Sequence, residues 1–443
     1  MAKGPEWSDD TTAQQLAKRL GVKALVNGSL RTDGAKIRIT AEIISADGFQ
    51  IWTDKFDRAA EDIFQLQEIV ATEVRKVLLG EPGEQIRAAG REPNPEAFTT
   101  YTRGLFFLEK RDIESLQSAA DLFRETIKHD RDFGPAYLRL AITYLLLADY
   151  TVEQRRHLFQ QAIEIANQGV KADPGIRAPA AMIHGFVEHQ FGNWAAASDA
   201  FAIALGGVTV YPTAYNWHSR LLSALGLLDK SLQQAKVALA KEPASQVLNA
   251  RMASAYFWID DMANARLFFE EANKMEVGAP IHHFAYTMFL IRDNRIEEAR
   301  ASAKHAYQLL QGTDDWWIDP VFDKIAQPDN QEIRKIAFET VDKMIAESVA
   351  PYITMSVLAL FEQGDRVMEF ALNIADSGTL YESDSAQVEI IYLNELKLLR
   401  EHEGFPTLLQ NLGLTDYWAS IGCRWADDQV LCDSTWNLSQ NSS

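Results

Sequence analysis

The chain has 443 residues, 47% of them hydrophobic and 24% charged, a composition that excludes a disordered polymer and leaves room for two or three folded domains. Its formal charge is −19, and no run of five or more Lys or Arg interrupts the acidity, which argues against a nucleic-acid surface. No apolar run approaches the ~20 residues needed to cross a bilayer.

In chain order, Thr11 to Leu20 reads as a helix. Val22, Ala24, Val26, Gly28 and Leu30 then alternate with Lys23, Asn27, Ser29 and Arg31, the period of a strand with one buried face. After the turn at Asp33-Gly34, Ile37, Ile39, Ala41 and Ile43 alternate with polar neighbours, so the two runs form a hairpin. A third strand covers Phe49 to Phe56, and Glu61 to Leu79 reads as an amphipathic helix. Residues 1–80 are therefore expected to form a small α/β domain with a three-stranded antiparallel sheet, joined by a linker at 81–95 to the remainder of the chain.

From Ala178 the pattern changes. Stretches beginning at Ala178, Pro212, Gln246 and Pro280 repeat every 34 residues, the period of stacked helix pairs. At the eighth offset stand Gly185, Ser219, Ala253 and Thr287. At the twentieth stand Ala197, Ser231, Ala265 and Ala299. All are small enough for two helices of a hairpin to approach closely. Phe201, Ala235, Phe269 and Ala303, with Ala204, Ala238, Ala272 and Ala306, pack each second helix on the next pair. Turn residues fall between the helices at Gly192-Asn193, Gly226, Asp260-Asp261 and Asp293-Asn294. The pattern extends backwards through Tyr137, Leu140, Ala141 and Tyr144, with Ala162, Gly169 and Pro174 closing that repeat after extra residues around Asp149 to Arg156. Tyr101, Gly104, Ala119 and Phe123 supply one repeat more. Six helix pairs are expected over 96–313. Beyond Asp314 the offsets fray: Tyr352, Leu358, Leu360 and Gly364-Asp365 give a degenerate pair, Val388 to Arg400 a further helix, and 314–443 a helical cap and tail.

The repeat resembles the tetratricopeptide family, and the expected fold is mainly α: a tetratricopeptide-repeat α-solenoid preceded by the small α/β domain. Leu20 to Arg31, Ile37 to Glu42, Ile51-Trp52, Phe56-Asp57-Arg58 and Asp62-Ile63-Phe64 resemble the TolB amino-terminal-like domain, without its first strand and helix. Gly404-Phe405-Pro406, Leu408-Leu409, Leu412-Gly413-Leu414 and Asp416-Tyr417-Trp418 resemble the tail of proteins in which that domain and the repeats follow a class III adenylate cyclase or winged-helix domain. The resemblance implies the regulatory portion of such a protein. The catalytic aspartates of a cyclase have no counterpart here.

No phosphate-cradling glycine loop or His-Glu-x-x-His string occurs, so neither cofactor nor metal is expected. His184 with His189, and His282 with His283, read as packed histidines, and the paired acids Asp260-Asp261, Asp314-Asp315 and Asp427-Asp428 as turns or caps. Asn437-Leu438-Ser439 matches a glycosylation acceptor by chance. Cys423 and Cys432 lie close enough in sequence to pair in an oxidising compartment and otherwise stay reduced.

There remains a surface. In a solenoid of this kind the first helix of each pair lines the concave face. The positions concerned are Met182, Phe186 and His189; Asn216, Arg220 and Ser223; Ala250, Ser254 and Phe257; and Phe284, Met288 and Ile291. Apolar ends around a polar centre suit an extended or helical peptide, with Asn216 and Arg220 bonding its backbone or a carboxylate. The competing reading buries these residues through superhelical curvature or C-terminal helices folding back. The expected protein is a non-catalytic module that binds a protein or peptide segment, not nucleic acid. It carries no visible export signal, so cytoplasm is expected, with the periplasm as alternative if a longer, membrane-anchored protein is involved.

Overall fold

The computed structural model describes residues 24–33, 36–45 and 50–59 and, between 94 and 433, all but 111, 149–153, 208–209, 244, 275–279, 310–314 and 377–386. The chain divides into two compact units, Met1–Arg87 and Ala88–Ser443.

In the first unit, β1 (Ala24–Asp33), β2 (Lys36–Ser45) and β3 (Gln50–Ala59) form an antiparallel sheet in the order β1-β2-β3. The register pairs Asp33 with Lys36, the two-residue connection that Asp-Gly favours. A bulge lies between Ile43 and Ile44. Ala41 and Ile43 are buried on the central strand, whereas Val26, opposite Ile43 and expected on the buried face, is 53% exposed because it lies on the edge strand. The helices expected at Thr11 to Leu20 and Glu61 to Leu79 lie outside the described residues.

The described residues of the second unit between Pro95 and Ser420 are mainly helical. Six pairs succeed one another: α1 (Pro95–Lys110) with α2 (Ile113–His129), α3 (Gly134–Ala148) with α4 (Arg155–Ala172), α5 (Arg177–Gln190) with α6 (Trp194–Leu205), α7 (Pro212–Ala224) with α8 (Leu228–Lys241), α9 (Gln246–Trp258) with α10 (Met262–Lys274), and α11 (Pro280–Arg292) with α12 (Ile296–Leu309). The small offsets act as expected. A Cβ on Gly185 would stand 2.9 Å from Phe201, and one on Gly104 2.6 Å from Phe123, so each second-helix phenylalanine seats directly on the backbone of the first helix. Ser219 and Ser231 do more than stay small: each hydroxyl donates to the other's backbone carbonyl at 2.8 Å, pinning α7 to α8. The turn after the first helix places one residue in the left-handed region, at Gly192, Gly226, Asp260 and Asn294, the helix-ending geometry that glycine and asparagine adopt most readily.

Two further pairs extend the array, α13 (Ile318–Ala326) with α14 (Gln331–Ala346) and α15 (Pro351–Leu360) with α16 (Gly364–Asp376). The second includes the degenerate pair read around Tyr352. The first has no counterpart among the expected pairs, although Asn330 caps α14 by accepting from Glu332 and Ile333 N–H. The single helix expected from Val388 to Arg400 is instead broken into 3-10 turns at Gln387–Tyr392 and Asn394–Leu396 and a short α17 (Lys397–Arg400). α18 (Phe405–Asn411), α19 (Leu414–Ser420) and a hairpin of β4 (Cys423–Ala426) and β5 (Gln429–Cys432) complete the described chain. Asp427 and Asp428, both at positive φ, make the hairpin turn, and Cys423 and Cys432 face each other across it in a disulfide.

Candidate functional site

The inner wall expected to be open is covered. Met182, Phe186, His189, Asn216, Ser223, Ala250, Ser254, Phe257, Phe284 and Met288 are all buried, and of the named positions only Arg220 and Ile291 keep partial exposure. Their surroundings explain why. Phe186 packs on Trp217 with ring centroids 4.5 Å apart; Arg220 lies over the Phe186 ring; Phe284 meets Tyr352 of α15 edge to face; Ala250 packs on Ala272. Met182, Phe186, Phe257, Phe284 and Met288 share one continuous apolar core with Tyr392, Leu393, Leu414 and Trp418 from the C-terminal segment. The competing reading of this surface, burial by close stacking and by a returning tail, describes the geometry.

The tail returns along the C-terminal ends of the first helices. Those ends leave backbone carbonyls without intrahelical partners, and aromatic donors from residues 387–432 fill them. Tyr392 hydroxyl donates to Ala224 O at 3.2 Å and Trp418 Nε1 to Leu225 O at 2.9 Å. In the reverse sense, Trp258 Nε1 donates to Glu389 O at 2.7 Å and Trp194 Nε1 to Leu412 O at 2.8 Å. Arg292, the last residue of α11, stacks 4.1 Å from the Phe257 ring centroid and holds Glu395 through Nε and Nη2 at 2.7 and 2.5 Å. These contacts span four successive helix pairs.

At the centre lies a charged cluster. Arg251 Nε donates to Ser219 Oγ at 2.9 Å, and its Nη2 donates to Ser219 O, Ser223 Oγ and Ser231 Oγ at 2.9, 2.6 and 2.7 Å. Burial pushes its guanidinium down to about 10, against the opposing field of Glu389. Glu389 is 3% exposed, its Oε2 has no hydrogen-bond partner, and burial raises its pKa although Arg220 and Arg251 pull the other way. His189, enclosed beside the same two arginines with neither ring nitrogen bonded, is pushed down to about 3, by burial first and then by Arg220 and Arg251. The sequence reading includes Arg220 and His189 but misses Arg251 and Glu389. Arg251 sits one position beyond Ala250, and its role depends on the hydroxyls of Ser219 and Ser231, which read only as small residues.

The histidine pairs are packed groups. His184 bonds Asn167 at 3.0 Å and His282 bonds Asn273 at 3.1 Å. Among the described residues no cluster of three or more His, Cys, Asp or Glu can hold a metal ion, and no helix is long and apolar enough to cross a membrane.

The pairing of helices at a 34-residue spacing defines the class: a tetratricopeptide-repeat α-solenoid preceded by a small three-stranded antiparallel sheet. No protein-family model matches the chain. "Putative adenylate cyclase 3" of Rhizobium meliloti (strain 1021) is 26% identical over 167 residues, which cover 36% of this chain and 28% of that protein, so the match spans less than a third of the relative's length. Among solved structures, PilW, a type IV pilus biogenesis factor, is similar at 15% identity and a TM-score of 0.34 over 55% of this chain and 99% of that one. Yeast Tom70 is similar at 16% identity and a TM-score of 0.35 over 80% and 75%, and a tetratricopeptide repeat protein from Parabacteroides merdae at 16% and 0.32 over 53% and 100%.

Proposed function

We propose that the solenoid is a protein-binding module whose partner is a peptide segment taking the place of the chain's own residues 387–432 along the ends of the first helices. One observation carries this reading: the C-terminal ends of the first helices are already occupied by a segment of peptide, held by backbone carbonyls, indole N–H groups and Arg292, with Arg220 and Arg251 supplying positive charge nearby. That set of contacts suits a segment with an acidic residue between apolar ones, as in Glu389-Ile390-Ile391-Tyr392. The seat is imperfect for its present occupant, since an enclosed carboxyl with an unbonded oxygen opposes docking. A partner with a better-paired carboxylate competes on favourable terms.

A labelled synthetic peptide copying residues 387–393, which lacks Glu395, tests the exchange. Arg292→Ala, which releases Glu395, is expected to increase its binding to the full chain, and Arg220→Glu to reduce it. Equal binding by wild type and both variants would remove the inner wall from consideration.

A second reading rests on the partial match to the cyclase-named relative. In it the chain is the regulatory portion of a class III adenylate cyclase or a winged-helix regulator, its first 80 residues a TolB-like domain. In-frame DNA upstream of Met1 encoding a cyclase or winged-helix domain supports it; a stop codon close upstream removes it. The disulfide favours the periplasm over the cytoplasm for this portion. Alkylation of Cys423 and Cys432 in intact cells would instead place it in a reducing compartment.

A further inference from the structure

The hairpin of β4 and β5 lies over the contacts that seat the returning segment. The Trp425 ring of β4 stands 5.8 Å from that of Tyr392, 5.4 Å from Phe405 and 6.2 Å from Trp418. Tyr392 and Trp418 are the residues that donate to Ala224 O and Leu225 O at the end of α7. Val430 of β5 reaches Gly226, where a Cβ would stand 2.7 Å from its Cγ2. Asp428 in the turn accepts from Arg400 Nε at 2.7 Å, and Arg400 Nη1 donates to Ile391 O and Leu393 O at 2.8 and 2.6 Å. The hairpin thus holds Tyr392 by its ring and, through Arg400, the carbonyls on either side of it.

Little in the hairpin itself keeps it folded. Its strands have four residues each, and a two-stranded ribbon is marginal in water. Asp427 and Asp428 turn the chain at φ of 53° and 59°, a region that glycine enters at less cost. At the open end the disulfide joins Cys423 to Cys432, directly opposite each other in the register, and Asp433 N–H donates to Gly422 O at 3.0 Å just beyond it. The chain has two cysteines, so this bond is the one target a thiol reductant has. Cys423 is 5% exposed and belongs to the core, whereas Cys432 is half-buried, which makes Cys432 the side of approach.

We propose that this disulfide is a redox-sensitive latch on residues 387–393, opened by a dithiol reductant. A thiolate of the dithiol attacks Sγ of Cys432, the sulfur–sulfur bond breaks, and Cys423 leaves as a thiolate that takes up a proton. The second thiolate of the reductant then attacks the mixed disulfide and frees Cys432. The chain gains two electrons and two protons, and the dithiol departs as a cyclic disulfide. With the bond broken the open end of the hairpin frays, Trp425 and Asp428 leave their places, and Tyr392 and Arg400 lose the cover that keeps the segment on the helix ends. Loosening of the segment is a property of the chain alone; what the freed helix ends then receive rests on the peptide reading.

Hydrogen exchange of the full chain with and without dithiothreitol tests it. Reduction is expected to speed exchange across 387–400 and 423–432 by roughly ten- to a hundredfold, while α2 in the first pair keeps its rate. Cys423→Ala combined with Cys432→Ala is expected to exchange at the reduced rate with or without the reductant. The 387–393 peptide is expected to bind the reduced wild type more tightly than the oxidised protein. Unchanged exchange across 387–400 on reduction overturns the proposal. An equal rise in α2 overturns it as well, because the bond is then a general staple, as does a reductant effect that persists in the double variant. Faster exchange confined to the tail, with peptide binding unaltered, upholds the latch and removes the peptide reading.

Discussion

His189, His218 and His282 are held neutral in the folded chain. Burial depresses all three, to about 3, about 4 and about 3, with Arg220 and Arg251 adding to the effect at His189 and His283 at His282. In the unfolded chain each titrates near its ordinary ~6.5, so below that pH the unfolded state binds more protons and stability declines. The thermal midpoint is expected to be level above about pH 6.5 and to fall as pH drops toward 4, with His189→Gln reducing the slope. A midpoint unchanged from pH 7 to 4.5 would contradict it. Glu389 has the opposite sign. Its carboxyl is raised by burial, so its contribution is complete below the ordinary carboxylate pKa and is lost as pH rises through the folded value. Glu389→Gln should therefore leave stability at neutral pH equal or higher, as read by chemical denaturation. At Gly185 the argument is steric: Gly185→Ala drives a Cβ against the Phe201 ring, and overpacking of this kind costs about 1–3 kcal/mol, read as a lower denaturation midpoint.

At the scale of the element, one geometry recurs at the ends of five first helices. Gly192, Gly226, Asp260, Asn294 and Glu362 all hold φ between 58° and 71°. A non-glycine residue there is strained by about 1 kcal/mol. Glu362 ends α15, is exposed, and carries a long side chain in a conformation that favours glycine. Glu362→Gly is expected to raise stability by about 0.5–1 kcal/mol; a loss would mean that the side chain has an unseen role. Gly226 is the reverse case. Beyond its φ of +71°, a Cβ would stand 2.7 Å from Val430 Cγ2 and 2.9 Å from Tyr392 Cζ, so Gly226→Ala should loosen the C-terminal segment and raise hydrogen exchange across 387–432. The turns are legible in the sequence because residue types that tolerate positive φ mark them. The 3-10 course of Gln387–Tyr392 is not, because an apolar run of that length fits a helix equally well and only its seat against α7 and α9 selects the looser winding.

For the whole molecule, the returning tail changes how the array holds together. Stacked helix pairs touch only their neighbours, and such arrays tend to open repeat by repeat. Here single hydrogen bonds join residues 131, 168, 193 and 218 positions apart, tying the middle pairs to the C-terminus. Unfolding of the helical unit is expected to be one cooperative transition. Ending the chain at residue 386 should broaden it and uncover apolar surface that binds a hydrophobic dye. A truncated chain that melts as sharply as the full one would show that the tail is only an appendage.

The sequence by itself determined the repeat. Helix pairs of fixed length need a small residue at each close approach and a permissive one at each turn, and both requirements are local enough to appear as a spacing of 34. The three strands were readable for the same reason, since side chains alternate with a period that depends only on neighbours. Tertiary structure alone decided which surface stays open. Whether Phe257 or Met288 faces solvent depends on neighbouring repeats: Phe257 meets Phe269, Phe289 and Arg292, and Met288 stands beside Val321 and Tyr352. The carbonyls that receive Tyr392 and Trp418 belong to every helix end and carry no signature in the side chains. The partnership of Arg251 with three serines likewise exists only once helices from different repeats stand side by side.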